Sequence, residues 1–295
     1  MRVAAWTLAA LLTSFATRAD EFQPPGRLVP VFDTLLHLDC TGSGAPTVVL
    51  EAGLGGNFLD WTLVQPKLAM TQRVCSYDRA GAGFSARTTR QRSIANITEE
   101  LFQLVRQGDV ARPFVLVGHS FGGLIAMDYA RRYPADVAGL VLLDAMHPDQ
   151  FDRFAEAGVE IETDPHLVLG HTPAIAATYG LPPSLHELAL SLAMGDSARV
   201  FVVREMSLML QDAHAVGEAG FPRLPARVLV HGNGEWNDVP PAGRMEQVWR
   251  SLQADTATRL GAPAPIVIAG SGHQIALDAP DAVVAAVTDL IVALP

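Results

Sequence analysis

The feature that most constrains this chain is a strand that must become a helix within a few residues. The apolar run Phe114-Val115-Leu116-Val117 meets Gly118-His119-Ser120-Phe121-Gly122, and a helical pattern follows over residues 124–133, closed by Pro134. Such a turn brings the residues two before and two after the serine almost into collision, so both positions must lack a Cβ. The strain lifts the Ser120 hydroxyl clear of the backbone, at the positive end of the new helix. G-x-S-x-G by itself is a weak signal, but a strand before it and a helix after it make Ser120 a candidate nucleophile. Gly123 lets the helix pack closely on neighbouring chain.

The rest of the chain repeats the alternation. Strand-like runs occupy residues 35–39, 47–50, 73–77, 114–117, 137–143, 226–230 and 266–269, with helical spacing over 93–107, 124–133, 242–254 and 282–294. Strands that are apolar throughout, separated by helices, predict a parallel sheet covered on both faces. Residues 20–30, with Pro24, Pro25 and Pro30, read as a leader onto the domain. From about residue 147 to 220 the alternation breaks into helical pieces and prolines. An insertion between strands of a parallel sheet lies at the strand ends, where such sheets place ligands, and this one reads as a lid.

Composition excludes several partners. Over 295 residues the formal net charge is -10 and no basic run occurs, so neither nucleic acid nor an anionic membrane surface is an expected partner. Arg2, an uncharged and mostly apolar stretch over 3–16, and Thr17-Arg18-Ala19 form the pattern of a signal peptide over residues 1–19, cleaved after Ala19. The remaining 20–295 segment would then form one exported domain, secreted or periplasmic. No other segment reaches the roughly 18 apolar residues of a membrane span. No H-E-x-x-H motif, clustered Cys/His spacing or phosphate-binding Gly loop with Lys is present, so neither a metal nor another cofactor is expected.

A serine hydroxyl needs a base to take its proton. His273, in Ser271-Gly272-His273 just after the last strand, is the best candidate. His119 points away from the hydroxyl by the turn's geometry. His37, His147, His166, His171, His186, His214 and His231 are rivals that read mostly as surface or insertion histidines, with His147 and His214 candidates to line the pocket.

Leu50-Glu51-Ala52-Gly53-Leu54-Gly55, Tyr77-Asp78-Arg79-Ala80-Gly81, Gly118-His119-Ser120-Phe121-Gly122-Gly123, and Leu142-Leu143-Asp144 with His147-Pro148 together resemble the α/β-hydrolase superfamily, in particular its serine esterase-like members. The resemblance implies a doubly wound, mostly parallel sheet of about eight strands with a helical lid at 147–220. It implies oxyanion donors at the backbone N–H groups of Phe121 and Leu54, although Ala52 stands where many members have histidine. It implies a triad acid at one of two places: Asp144, the favoured reading, at the end of the strand after the nucleophile helix, or Glu235, with Asp238 nearby, after the penultimate strand. Glu51 would brace the oxyanion loop. The implied sheet order sets the second and fourth strands side by side and so pairs Cys40 with Cys75 in a disulfide. The implied activity is hydrolysis of a carboxylic ester through an acyl-enzyme. Amide or peptide hydrolysis, or acyl transfer, would use the same machinery, and a non-catalytic binding protein is the alternative of another class. Phe151, Phe154, Met206 and Met209 suggest an apolar small-molecule substrate, or else form the core of the lid.

Overall fold

The computed structural model describes residues 22–160, 178–194 and 196–294. The expected signal peptide, the part of the insertion at 161–177, and with it His166 and His171, lie outside the described residues.

Eight strands form one sheet: β1 (Arg27–Val31), β2 (Thr34–Thr41), β3 (Val48–Glu51), β4 (Val74–Tyr77), β5 (Phe114–His119), β6 (Val137–Leu143), β7 (Ala226–His231) and β8 (Ile266–Ile268). Their spatial order is β1-β2-β4-β3-β5-β6-β7-β8. β2 runs antiparallel to both β1 and β4, and every other pairing is parallel. The central strands β3 and β5 are buried along their whole length, which is why they read as unbroken apolar runs.

β1 corrects the reading of residues 20–30 as a leader. Arg27–Val31 pairs with β2, from Arg27 opposite Leu38 to Val31 opposite Thr34. Proline belongs on edge strands because the ladder loses only a donor that would face outward, so Pro30 is compatible with β1. Val29 and Val31 face the core, an alternation that the surrounding prolines hide in the sequence.

Among the described residues the longer helices are α1 (Ile94–Gln107), α2 (Phe121–Arg132), α3 (Gln150–Glu156), α4 (His186–Met194), α5 (Asp196–Glu218), α6 (Arg244–Leu260) and α7 (Pro280–Val292). α1 begins where its sequence says it should: Ser93 accepts a hydrogen bond from the Asn96 N–H, and Gly108 closes the far end. Ile94, Ile97, Leu101, Leu104 and Val105 form its buried stripe. On one face of the sheet α1 and α2 enclose the larger core; on the other, α7 packs Val283, Val287 and Leu290 against β3, β5, β6 and β7 residues. The described parts of the insertion are helical. Phe154 and Met206 are buried within the protein, and Phe151 and Met209 pack against its core, so these four side chains serve as core.

Cys40 and Cys75 stand directly opposite each other in the β2–β4 register and are joined by a disulfide.

Candidate active site

The C-terminal ends of β3, β5, β6, β7 and β8 converge, and each supplies part of one site. At the end of β5, Ser120 has φ 51° and ψ -122°, a region that L-residues rarely adopt. Two contacts tie this strained residue to the end of β6: its N–H donates to the Leu143 carbonyl at 3.0 Å, and its own carbonyl accepts from the Met146 N–H at 2.9 Å. The glycines around it have no space for side chains. A Cβ on Gly118 would lie 2.6 Å from the Gly122 carbonyl oxygen, and one on Gly122 would lie 2.4 Å from that of Ala52. Gly123 passes the same test, with Ala145 Cβ at 2.4 Å. Among the described residues the Ser120 hydroxyl has no hydrogen-bond partner.

β6 ends at Asp144, which is fully buried and is itself a strained residue at φ 45°. Its Oδ2 accepts from His273 Nδ1 at 2.7 Å. The same oxygen accepts from His231 Nδ1 at 2.7 Å, while Oδ1 accepts the Trp249 indole N–H at 2.8 Å and the His231 main-chain N–H at 3.3 Å. Burial by itself would raise the Asp144 carboxyl, but the hydrogen bonds from the two histidines outweigh it and hold the group well below the usual carboxylate range. Glu235 stands elsewhere. It is exposed and accepts the backbone N–H of His273, so it fixes the loop that carries the imidazole and leaves the ring to Asp144.

His273 keeps Nε2 free among the described residues. Its ring lies among Trp236, Trp249 and His119, with centroids 5.5, 6.0 and 4.8 Å away. His119 bonds through Nε2 to the His273 carbonyl at 2.9 Å, and burial and the nearby His273 lower it to about 3, so it is a neutral strut. The chain neighbour of Ser120 is thus fastened to the residue that carries the candidate base.

After β3, the backbone of Ala52-Gly53-Leu54 runs past Ser120; a Cβ on Gly53 would lie 3.4 Å from the Ser120 Cβ. Arg79, buried in the turn after β4, holds this loop. Its Nη1 donates to the Ala52 carbonyl and its Nη2 to the Gly53 carbonyl, each at 2.7 Å. In a trans peptide the C=O and the following N–H point in opposite directions. Drawing the Gly53 carbonyl onto Arg79 therefore turns the Leu54 N–H the other way. Neither the Leu54 nor the Phe121 N–H meets an acceptor among the described residues.

Arg79 is held in turn by two buried carboxylates. Glu51 accepts from Nη1 at 2.6 Å, and Glu205 of α5 accepts from Nε and Nη2, both at 2.9 Å. Tyr77 donates its hydroxyl to Glu51. Burial raises the Glu51 carboxyl, an effect that the Arg79 cation opposes. α5 packs over both segments, with Val202 against Gly55 after the oxyanion loop and Phe201 against Gly81 in the turn after β4.

Three of the other described histidines, His37, His147 and His231, are buried where their sequence context suggests surface or insertion positions. His37 is buried, bonding Asp78 at 2.8 Å and the Pro25 carbonyl at 2.6 Å. His231 is also buried. His147 is buried at the foot of α3 facing Asp149 and Asp255, whose ligand-type atoms lie within 4.8 Å of one another. A cation already sits there: Arg259 Nη2 contacts Asp149 at 2.6 Å and Asp255 at 2.8 Å. His214 is exposed beside Asp152, and His186 bonds the Leu181 carbonyl. Four members of the assembly, His231, Glu246, Trp249 and Glu205, carry no functional motif in the sequence. The only signal for His231 is its place at the carboxyl end of a parallel strand.

The sheet order, the strained serine between β5 and α2, and the convergence of strand ends define the α/β-hydrolase fold. Residues 46–166 match the family model described as alpha/beta hydrolase fold, and the chain has that fold. It is similar to the dihydrolipoyllysine-residue acetyltransferase component of the acetoin cleaving system of Pseudomonas putida, 29% identical over 202 residues, 61% of this chain and 54% of that protein. The chain thus spans about half the length of that relative. Among solved structures, a thermophilic esterase from Thermogutta terrifontis superposes with a TM-score of 0.62 at 20% identity, covering 91% of this chain and 98% of that one. The epoxide hydrolase CorEH superposes at 0.67 with 15% identity, covering 90% and 98%.

Proposed function

We propose that the protein is a serine hydrolase that cleaves carboxylic esters, with Ser120 as nucleophile, His273 as general base and Asp144 as the acid that orients the imidazole. The observation that carries this reading is the 2.7 Å contact between Asp144 Oδ2 and His273 Nδ1, on a residue that His119 ties to the neighbouring strained serine, whose hydroxyl is unengaged. With Nδ1–H committed to the carboxylate, the basic lone pair is on Nε2. His273 Nε2 takes the Ser120 proton as Oγ bonds to the ester carbonyl carbon. The N–H groups of Phe121 and Leu54 receive the oxyanion. His273 then protonates the departing alkoxide as the ester C–O bond breaks. In the second half, His273 deprotonates water, which attacks the acyl carbonyl carbon, and then returns that proton to Ser120 Oγ as the acyl C–O bond breaks and the acid leaves. A serine at the elbow favours this route over epoxide opening, for which the resemblance calls for an aspartate nucleophile. The apolar side chains that α5 sets against the oxyanion loop and the turn after β4, Val202 at Gly55 and Phe201 at Gly81, favour an apolar small-molecule ester.

The reading extends to location. The signal-peptide pattern over residues 1–19 and the Cys40–Cys75 disulfide both favour an exported protein, secreted or periplasmic. Among the described residues no helix is long and apolar enough to cross a membrane.

A fluorophosphonate probe tests the core of the proposal. Wild-type protein should be labelled at Ser120 and lose turnover in proportion, and Ser120→Ala should take up no label. Unlabelled wild-type protein that hydrolyses no member of a panel of esters and amides would leave a binding protein as the better reading, and turnover of amides alone would move the substrate class.

A further inference from the structure

Resting on that reading, we propose that His231 and Glu246 are positioning residues: they extend the Ser120–His273–Asp144 array inward, fix the acid, and set the pH above which His273 works as a base. His231 ends β7 and is wholly buried. Nδ1 lies 2.7 Å from Asp144 Oδ2, and Nε2 lies 2.9 Å from Glu246 Oε2 on α6. A neutral imidazole has one N–H, so it can donate to only one of two flanking carboxylates; with Asp144 and Glu246 both ionised, the latter paired with Arg250 at 2.7 Å, both contacts require the imidazolium. The chain of hydrogen-bonded groups therefore runs carboxylate, imidazolium, carboxylate, imidazole, from Glu246 through His231 and Asp144 to His273.

Two consequences follow from the geometry. The first is positional. Asp144 receives four donors, two histidine rings, an indole and a main-chain amide, so both carboxylate oxygens are fully used and the group has no freedom to rotate. The second is electrostatic. His231 and His273 share one oxygen of Asp144, so the cation on His231 draws on the same negative charge that would stabilise a protonated His273. Burial disfavours a charged His231, but its hydrogen bonds to Asp144 and Glu246 outweigh this and raise it to about 9, so it stays cationic through the neutral range.

His231 cannot be the base itself, because it is buried and both its nitrogens are engaged. The groups facing its ring are Asp144 from β6, Glu246 from α6 with Arg250 on its other oxygen, and the edge of Trp236. Around His273 they are Asp144, neutral His119 from the elbow, Trp236 and Trp249, with Glu235 on its main-chain N–H and Asp278 on that of Gly272. His231 is the one cation among the described residues in direct contact with the acid, so its removal has a defined sign.

The test is the pH dependence of kcat/KM together with the titration of the His273 imidazole followed by nuclear magnetic resonance, which needs no substrate. His231→Asn places an amide N–H near Nδ1 and removes the charge; the acid limb and the His273 midpoint should both move up by about one pH unit. Glu246→Gln removes an anion one group further away, and both should move down by a smaller amount. Opposite shifts in two folded variants, with unchanged circular dichroism, are not produced by a merely structural role. The proposal is overturned if the two midpoints stay in place in both variants or move the same way. If the His273 midpoint moves as stated while even wild-type protein turns over no ester or amide, the relay holds and the hydrolase reading fails. If turnover is normal and neither midpoint moves, the relay fails alone. Should His231→Asn not fold, Glu246→Gln still decides by the direction of its shift.

Discussion

In the proposed site two buried cations hold the two halves, and they do so differently. Arg79 holds the oxyanion half. It spends its guanidinium on two loop carbonyls and two carboxylates, one of which, Glu205, comes from the inserted helix α5. His231 holds the acid–base half, and its partners Asp144 and Glu246 come from the sheet and from α6. The oxyanion half therefore depends on how the insertion sits, whereas the acid–base half is complete within the sheet and its flanking helix. Arginine keeps its charge at any pH the protein survives, but histidine does not. The two halves should fail under different insults.

The largest effect should come from breaking the acid–base half at its centre. Asp144→Asn keeps the shape but presents an amide N–H where His273 Nδ1–H needs an acceptor, which invites the wrong tautomer. Turnover should fall by about 10⁴-fold. Glu235→Gln still offers a carbonyl oxygen to the His273 main-chain N–H and should keep activity within about threefold, a surface-scale change. Steady-state kinetics at matched folding separates the two, and equal losses would return Glu235 to contention as the acid.

Arg79→Lys probes the other half. A lysine is a point charge on a flexible stem and cannot bridge two carbonyls and two carboxylates in one plane. The Leu54 N–H then loses its fixed direction, and kcat should drop by about 10²- to 10³-fold, the usual cost of one oxyanion donor, with KM much less affected. The pH profile should keep its wild-type midpoints, because the acid–base half is untouched. A shifted acid limb in this variant would show that the halves are not separable.

How much of this arrangement is legible in the sequence follows from how local each part is. The elbow is legible because its turn is made within six residues: a Cβ on Gly118 would meet Gly122 and Gly123, although those on Gly122 and Gly123 would meet Ala52 and Ala145 from neighbouring segments. Asp144 and His273 can be nominated as strand-end residues; the fold then brings them into contact across a sequence separation of 129. Sequence alone does not separate Glu235 from Asp144, because both follow strands that end at the site. Side-chain direction divides them. The two holding cations are not legible as such. Arg79 sits in a motif, but its role needs Glu205, 126 residues away on a helix with no motif. His231 reads as a surface or insertion histidine because one apolar strand says nothing of a glutamate arriving from α6. β1 is lost to its prolines, which an edge strand tolerates.

The smallest effect distinguishes the two cations by pH. His231 is raised from 6.5 to about 9 in the folded protein, so its folded value lies above its unfolded one. The native state then binds the proton more tightly, and the stability this contributes is complete below about pH 6.5 and lost as the pH rises through about 9. The contribution should be on the order of 3 kcal/mol, because a tenfold gain in proton affinity on folding is worth about 1.4 kcal/mol. Urea unfolding of wild-type protein should therefore show a decline in stability between about pH 7 and pH 10 that His231→Asn lacks. Arg79→Lys should keep this decline, since the group responsible for it is still present. A wild-type curve flat over that window would mean that His231 is not held as a cation between its two carboxylates, and the contrast between a titrating half and a non-titrating half would be lost.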